Sequence, residues 1–213
     1  MKEHPFSIGE AFQEGWRLTK NNIAFLLVYQ LIVFILMAIT GGTHDKWEWS
    51  LWHLMGWLIV VVTKMGLYHS ALLIAAGQKP GFDELYKNWR MLYSWVVASF
   101  FFGVVFVIGL ILFIVPGLYL WARYGFYPFF ILDKESGPLE ALNQSAEATE
   151  GMRWPVLLLF LACLGLNLVG ILLVGIGLLI TVPVTLLALA IVYRKINASS
   201  QEAIQPSEII SNH

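Results

Sequence analysis

The chain has 213 residues, of which 58% are hydrophobic and only 13% charged, with a net charge of -1. Ordinary soluble domains carry about 25% charged residues, and here no charge falls between Arg153 and Arg194. That gap excludes a soluble fold. The near-neutral balance excludes a nucleic-acid partner, and the single cysteine, Cys163, excludes a disulfide framework.

Residues 5–20 read as an amphipathic helix. Ser7 with Glu10 has capping-box spacing. Ile8, Ala11, Phe12 and Trp16 line one face, and Glu10, Gln13, Glu14 and Arg17 line the other. Such a helix lies in a membrane interface or packs on another helix. The apolar run 23–40 follows an acidic flank and is too long for the core of a signal peptide, so it reads as a retained span. At about 1.5 Å per residue it reaches about 27 Å, close to a hydrocarbon core of about 30 Å. Gly41-Gly42 ends it, and the loop 43–50, with Trp47 and Trp49, suits a headgroup boundary.

The second span is 51–76, in which Gly66 with Ser70 and Ala71 with Ala75 are small-residue pairs that permit close helix approach. In the loop 77–90, Phe82, Leu85, Tyr86 and Trp89 make a helical stripe, a second interfacial helix. The third span is 95–114. Val115-Pro116-Gly117 is a breaker that turns the chain, and a short fourth span covers 118–132. Pro138 to Glu150 is a third amphipathic helix, with Pro138 in its first turn and Gly151 just past its end. The charge-free run after Trp154 is too long for one crossing. It holds two, about 154–174 and 178–196, with a turn either at Gly175-Ile176-Gly177 or at Val182-Pro183. A polar tail, 197–213, is expected to be mobile.

The expected fold class is therefore all-α: a polytopic membrane protein of six transmembrane helices and three interfacial amphipathic helices, in a single domain over 1–196. Lys2, Arg17, Lys20, Lys79, Lys87, Arg90, Lys134, Arg153, Arg194 and Lys195 fall on the side of the termini and only Lys46 on the other. The positive-inside rule then places both termini in the cytoplasm. Glu10-Ala11-Phe12, Glu84-Leu85-Tyr86 and Glu140-Ala141-Leu142 each precede a span, which suggests three helix-hairpin units.

Pro116-Gly117, Arg123, Pro128, Gly137-Pro138-Leu139-Glu140-Ala141-Leu142, Ser145, Thr149 and Gly151 form a pattern. It resembles a family of bacterial six-span membrane proteins related to the membrane domain of some glycerophosphodiester phosphodiesterases, and distantly to Yip-type membrane proteins. The block FSIGEAFQEGWRLTKNN is similar to that family's start. The resemblance implies the fold and a place in the bacterial inner membrane. It implies no catalytic residues, because the phosphodiesterase chemistry belongs to a separate soluble domain.

Two residues break the apolar rule. Lys64 lies about 18 Å along its helix from Ala76, too deep to snorkel inward. It either bonds Tyr68 or freed carbonyls, is neutral, or is functional. Arg123 lies about 9 Å past the proline turn and could snorkel to the outer headgroups. Taken together, two cations without a carboxylate could hold an anionic headgroup. His53 and His69 lack partners at metal spacing, Ser145 and Thr149 have no activating base, and Asn197-Ala198-Ser199 is an idle acceptor on the cytoplasmic side. No enzyme, metal or cofactor is expected. The expected function is non-enzymatic association with membrane lipids or other membrane proteins. The alternative is a carrier or flippase for an anionic small molecule or headgroup.

Overall fold

A computed structural model describes residues 6–40, 51–112, 114–173 and 175–211. The chain is an all-α polytopic membrane protein. In order the helices are α1 Ile8–Asn21, α2 Ile23–Thr40, α3 Leu51–Ala75, α4 Glu84–Lys87 with a 3-10 turn at Asn88–Met91, α5 Leu92–Leu112, α6 Ile114–Tyr124, α7 Tyr127–Lys134, α8 Pro138–Ala148, α9 Arg153–Leu172 and α10 Leu178–Ser211. Among the described residues, four segments are long and apolar enough to cross a membrane: Leu54–Ala75, Asn88–Gly109, Arg153–Leu172 and Leu178–Ser200. A fifth arises if α1 and α2, bent by 90° at Asn22, act as one broken span. The Trp-rich loop 43–50 lies outside the described residues.

α1 is amphipathic as expected, but Ser7 makes no side-chain cap bond. Its buried face, Ala11, Gly15 and Thr19, lies on α10. Gly15 is required there, since a Cβ would run into the Val184 carbonyl and the Ala188 backbone. Lys195 Nζ stands 3.6 Å from Glu10 Oε2 across the same contact. The second interfacial helix shrinks to the single turn of α4 and its 3-10 extension.

The proline turn is not where its residues suggested. α5 ends at Leu112, and Pro116 and Gly117 fall inside α6. A proline in a first turn loses no hydrogen bond, because that N–H has no acceptor within the helix. Gly117 is used for contact rather than for positive φ, its Cα packing on Gly109 of α5.

The expected fourth span is broken as well. α6 and α7 meet at Gly125-Phe126. Pro128 has no N–H for the Tyr124 carbonyl, so the helix cannot run through. With 11 and 8 residues, neither half reaches across a core of about 30 Å at about 1.5 Å per residue. α7 is instead the centre of the packing, with Tyr127 through Leu132 all buried. Tyr193 of α10 stacks on Phe129 at 5.4 Å and meets Phe130 edge-on at 4.9 Å. Tyr68 of α3 lies 5.4 Å from Phe129. The Tyr193 hydroxyl donates to Asp133 at 2.7 Å.

α8 folds back on α7, burying Ala141, Leu142, Ser145, Ala146 and Ala148. The last hairpin turns at Gly175–Gly177, with Gly175 at φ 75°. Val182 and Pro183 lie within α10. Gly170 and Gly177 touch backbone to backbone across this hairpin, so neither tolerates a Cβ. α10 continues to Ser211, so the polar segment from Asn197 is helical that far.

Candidate functional site

The break between α6 and α7 frees two backbone groups. In an unbroken helix the Arg123 carbonyl would accept from the Tyr127 N–H, and the Phe126 N–H would donate to Ala122. α8 supplies the replacements. The Phe126 N–H donates to Ser145 Oγ at 3.2 Å, and Ser145 Oγ donates to the Arg123 carbonyl at 3.1 Å. Thr149 Oγ1 also lies 3.1 Å from that carbonyl, and 2.9 Å from the Ser145 carbonyl one turn back. Ser145 and Thr149 are both fully buried. Their role is to close a broken helix, which accounts for two residues of the signature. Gly151, at φ 77°, then turns the chain from α8 into α9.

That turn delivers Arg153, the first residue of α9, to α6. Its guanidinium lies 4.9 Å from the Tyr119 ring centroid and donates to the Tyr119 hydroxyl. Arg123, one helical turn from Tyr119 on the same face of α6, sits with its guanidinium 5.2 Å from the Tyr124 ring. Both Nε atoms are buried without a hydrogen-bond partner. Neither arginine is in any of the ion pairs among the described residues. Arg153 thus meets Tyr119 on α6, the helix that also carries Arg123.

This arrangement revises the expected topology. Arg123 was expected near an outer turn and Arg153 on the cytoplasmic side, yet Arg153 reaches Tyr119, on the helix of Arg123, directly. The α6–α7 stretch is therefore not a straight crossing that separates them.

Lys64 does not join Arg123. It is exposed on α3, and that helix packs on α2, α4, α7 and α10, whereas α6 packs on α5, α8 and α9. Lys64 has no hydrogen bond or ion pair among the described residues, Tyr68 included. Pro116, Gly117 and Pro128 are the helix-start and helix-break residues described above. Among the described residues no three His, Cys, Asp or Glu side chains gather as metal ligands. Cys163 is buried in α9.

Two features escape a reading of the residues alone. Arg153 counts simply as one more cytoplasmic cation until the fold returns α9 to α6. The other is a buried acid. Glu84, at the head of α4, is 4% exposed, and its Oε2 lies 2.6 Å from His69 Nδ1 of α3. Lys87 Nζ approaches its other oxygen at 3.3 Å. Gly66 makes room for this contact, since a Cβ there would fall on the Glu84 carbonyl and the Tyr29 hydroxyl. The matching glutamates do other things: Glu10 faces Lys195, and Glu140 accepts from the Gly137 N–H at 3.3 Å as an N-terminal cap of α8. The one signal for Glu84 was its place in the three-fold pattern.

The polar segments gather at one end of the bundle. Ala75, Ile191, Arg194 and Lys195 share a groove with Glu10 and Arg17, Asp133 bonds Tyr193, and Phe82 packs 5.0 Å from Phe25 at the start of α2. Trp16, Phe82, Tyr86, Trp89, Tyr93 and Trp154 are exposed, interleaved in sequence with Arg17, Lys20, Lys87, Arg90 and Arg153. Lys20 lies over the Trp16 ring, 5.1 Å from its centroid.

No protein-family model matches the chain, and no solved structure matches it. It is similar to Rv2560, an uncharacterised protein of Mycobacterium tuberculosis, at 25% identity over 236 residues that cover 95% of this chain and 72% of that protein.

Proposed function

We propose that the protein is a non-enzymatic component of the bacterial cytoplasmic membrane that works through association with lipids at its cytoplasmic end. The observation that carries this reading is the belt of exposed aromatic and basic side chains at one end of the bundle. Trp89 is 64% and Trp154 74% exposed. Indole and phenol rings are stable where one edge meets hydrocarbon and the other meets headgroups, and neighbouring lysines and arginines are attracted to anionic lipid there. The excess of basic residues on that side supports a cytoplasmic orientation with both termini inside. The resemblance of residues 115–153 to the six-span family, and through it to lipid-related membrane domains, agrees with this reading. The carrier alternative rested on a pathway shared by Lys64 and Arg123, and no observation favours it.

The test is lipid analysis. The full chain and a triple variant, Trp16→Ser with Phe82→Ser and Trp89→Ser, are purified in mild detergent and their retained phospholipids counted by mass spectrometry. The variant should hold several-fold less lipid while keeping its helical content. Equal lipid on both proteins would remove the basis of the proposal.

A further inference from the structure

We infer that the junction of α6 with the start of α9 is a specific phosphate-binding site, formed by Arg123, Arg153 and Tyr119. The inference deepens the lipid-association reading, but it rests on different residues from the belt. Three observations converge. The first is charge without compensation: Arg153 lies on Tyr119, Arg123 stands one helical turn from Tyr119 on α6, and no carboxylate among the described residues pairs with either. Surface arginines in water need no partner. These two are only partly exposed, and a partly desolvated guanidinium is held best by an anion on its accessible N–H groups. An anion brought from outside supplies the missing counter-charge.

The second observation is rigidity. The backbone that carries Arg123 is pinned at its own carbonyl by Ser145 and Thr149. Arg153 is held four residues farther along the same segment, past Gly151 at positive φ. The backbone positions of both cations are thus set by one knot. A pre-positioned fork is the arrangement that recognises a tetrahedral oxyanion, because each guanidinium presents parallel N–H donors.

The third is location. Arg153 opens the longest charge-free run of the chain, and Trp154, next to it, is exposed. The site therefore sits where an apolar span begins, at the height of phosphates in a leaflet. Its donors suit a phosphate, whether it belongs to a phospholipid headgroup or to inorganic phosphate in the cytoplasm. Lys64 belongs to neither case, being exposed on α3.

The experiment uses the full chain in lipid nanodiscs. One arm compares phosphatidylcholine discs with discs that also hold phosphatidylglycerol or phosphatidic acid, and counts anionic lipids that stay with the released protein in native mass spectrometry. The other arm titrates inorganic phosphate, with sulfate as control, onto protein in phosphatidylcholine discs and follows thermal unfolding. The chain should retain anionic lipid in preference to phosphatidylcholine, or be stabilised by inorganic phosphate over sulfate. The arm that responds identifies the source. Arg123→Gln and Arg153→Gln should each weaken the response about ten-fold, the effect of losing one charge-assisted bond. Lys64→Gln should leave it unchanged. Arg123→Lys and Arg153→Lys, which keep the charge but lose the fork, and Tyr119→Phe, which removes only the hydroxyl, should fall between; they serve if the glutamine variants do not fold. No preference in either arm, or an equal response in wild type and all arginine variants, overturns the inference. The belt variants keep this response if only the broader lipid reading fails, and the arginine variants keep general lipid retention if only the phosphate site fails.

Discussion

Ser145 and Thr149 stand at two backbone groups that a broken helix leaves open. Inside an apolar bundle there is no water to satisfy such groups, and an orphan carbonyl or N–H costs about 1–3 kcal/mol. Ser145 serves both groups at once, accepting from Phe126 and donating to the Arg123 carbonyl, whereas Thr149 shares one proton among the carbonyls of Arg123, Ser145 and Ala146. The two substitutions are therefore unequal. Ser145→Ala should lower unfolding stability by about 1–3 kcal/mol, and Thr149→Val by about 1 kcal/mol or less. Because they share an acceptor, the double variant should fall short of the sum. Unfolding by graded denaturing detergent, followed by circular dichroism, checks this. A Ser145→Ala protein as stable as wild type would mean that the break is satisfied in another way. Lys64 makes the opposite point at the same scale: its depth was legible from helix length, but its partner was not. The fold gives it none among the described residues, and it is Arg153 rather than Lys64 that reaches the helix of Arg123.

At the scale of elements, most helices could be read directly, because an apolar run of about 20 residues has few alternatives in a membrane. α2 and the amphipathic helices α1 and α8 match their expected segments closely. The misreadings share one cause. Hydropathy averages over a window, so 118–132 reads as apolar whether or not the helix is continuous. Pro128 marked the break, but a proline in a membrane helix can equally be a kink. Pro116, read as a stop, proved to be a start, since proline is as much at home in a first turn as after a last one. The connector 76–91 was also underestimated. It is tied to α3 by the buried Glu84–His69 contact at 2.6 Å, and a charge-assisted bond of this kind is worth about 1.5–3 kcal/mol. Glu84→Ala should therefore loosen α4 alone. Hydrogen exchange of residues 77–91 should accelerate about ten-fold or more, while α9 and α10 keep wild-type protection. Unchanged exchange in the connector would show that the Phe25–Phe82 contact holds it without the acid.

For the whole molecule, the class and the polar end were legible, and the site was not. Arg123 and Arg153 are thirty residues apart in the chain, and no periodicity links them. That Arg153 reaches Tyr119 on the helix of Arg123 depends on the α6–α7 break, on α8 folding back onto it, and on Gly151 turning the chain, three events that hydropathy does not record. The belt is different, because it follows from where charges and aromatic rings cluster along the sequence, and the fold brings those clusters to one end. Its claim is geometric: Trp16, Tyr86 and Trp154, on α1, α4 and α9, belong at one headgroup plane. Spin labels can measure this directly. With Cys163→Ala as background, Trp16→Cys, Tyr86→Cys and Trp154→Cys are labelled singly in nanodiscs, and depth is taken from the relative accessibility to oxygen and to a water-soluble relaxant. All three labels should report the same shallow headgroup depth. A label at the bilayer centre, or in bulk water, would contradict the account.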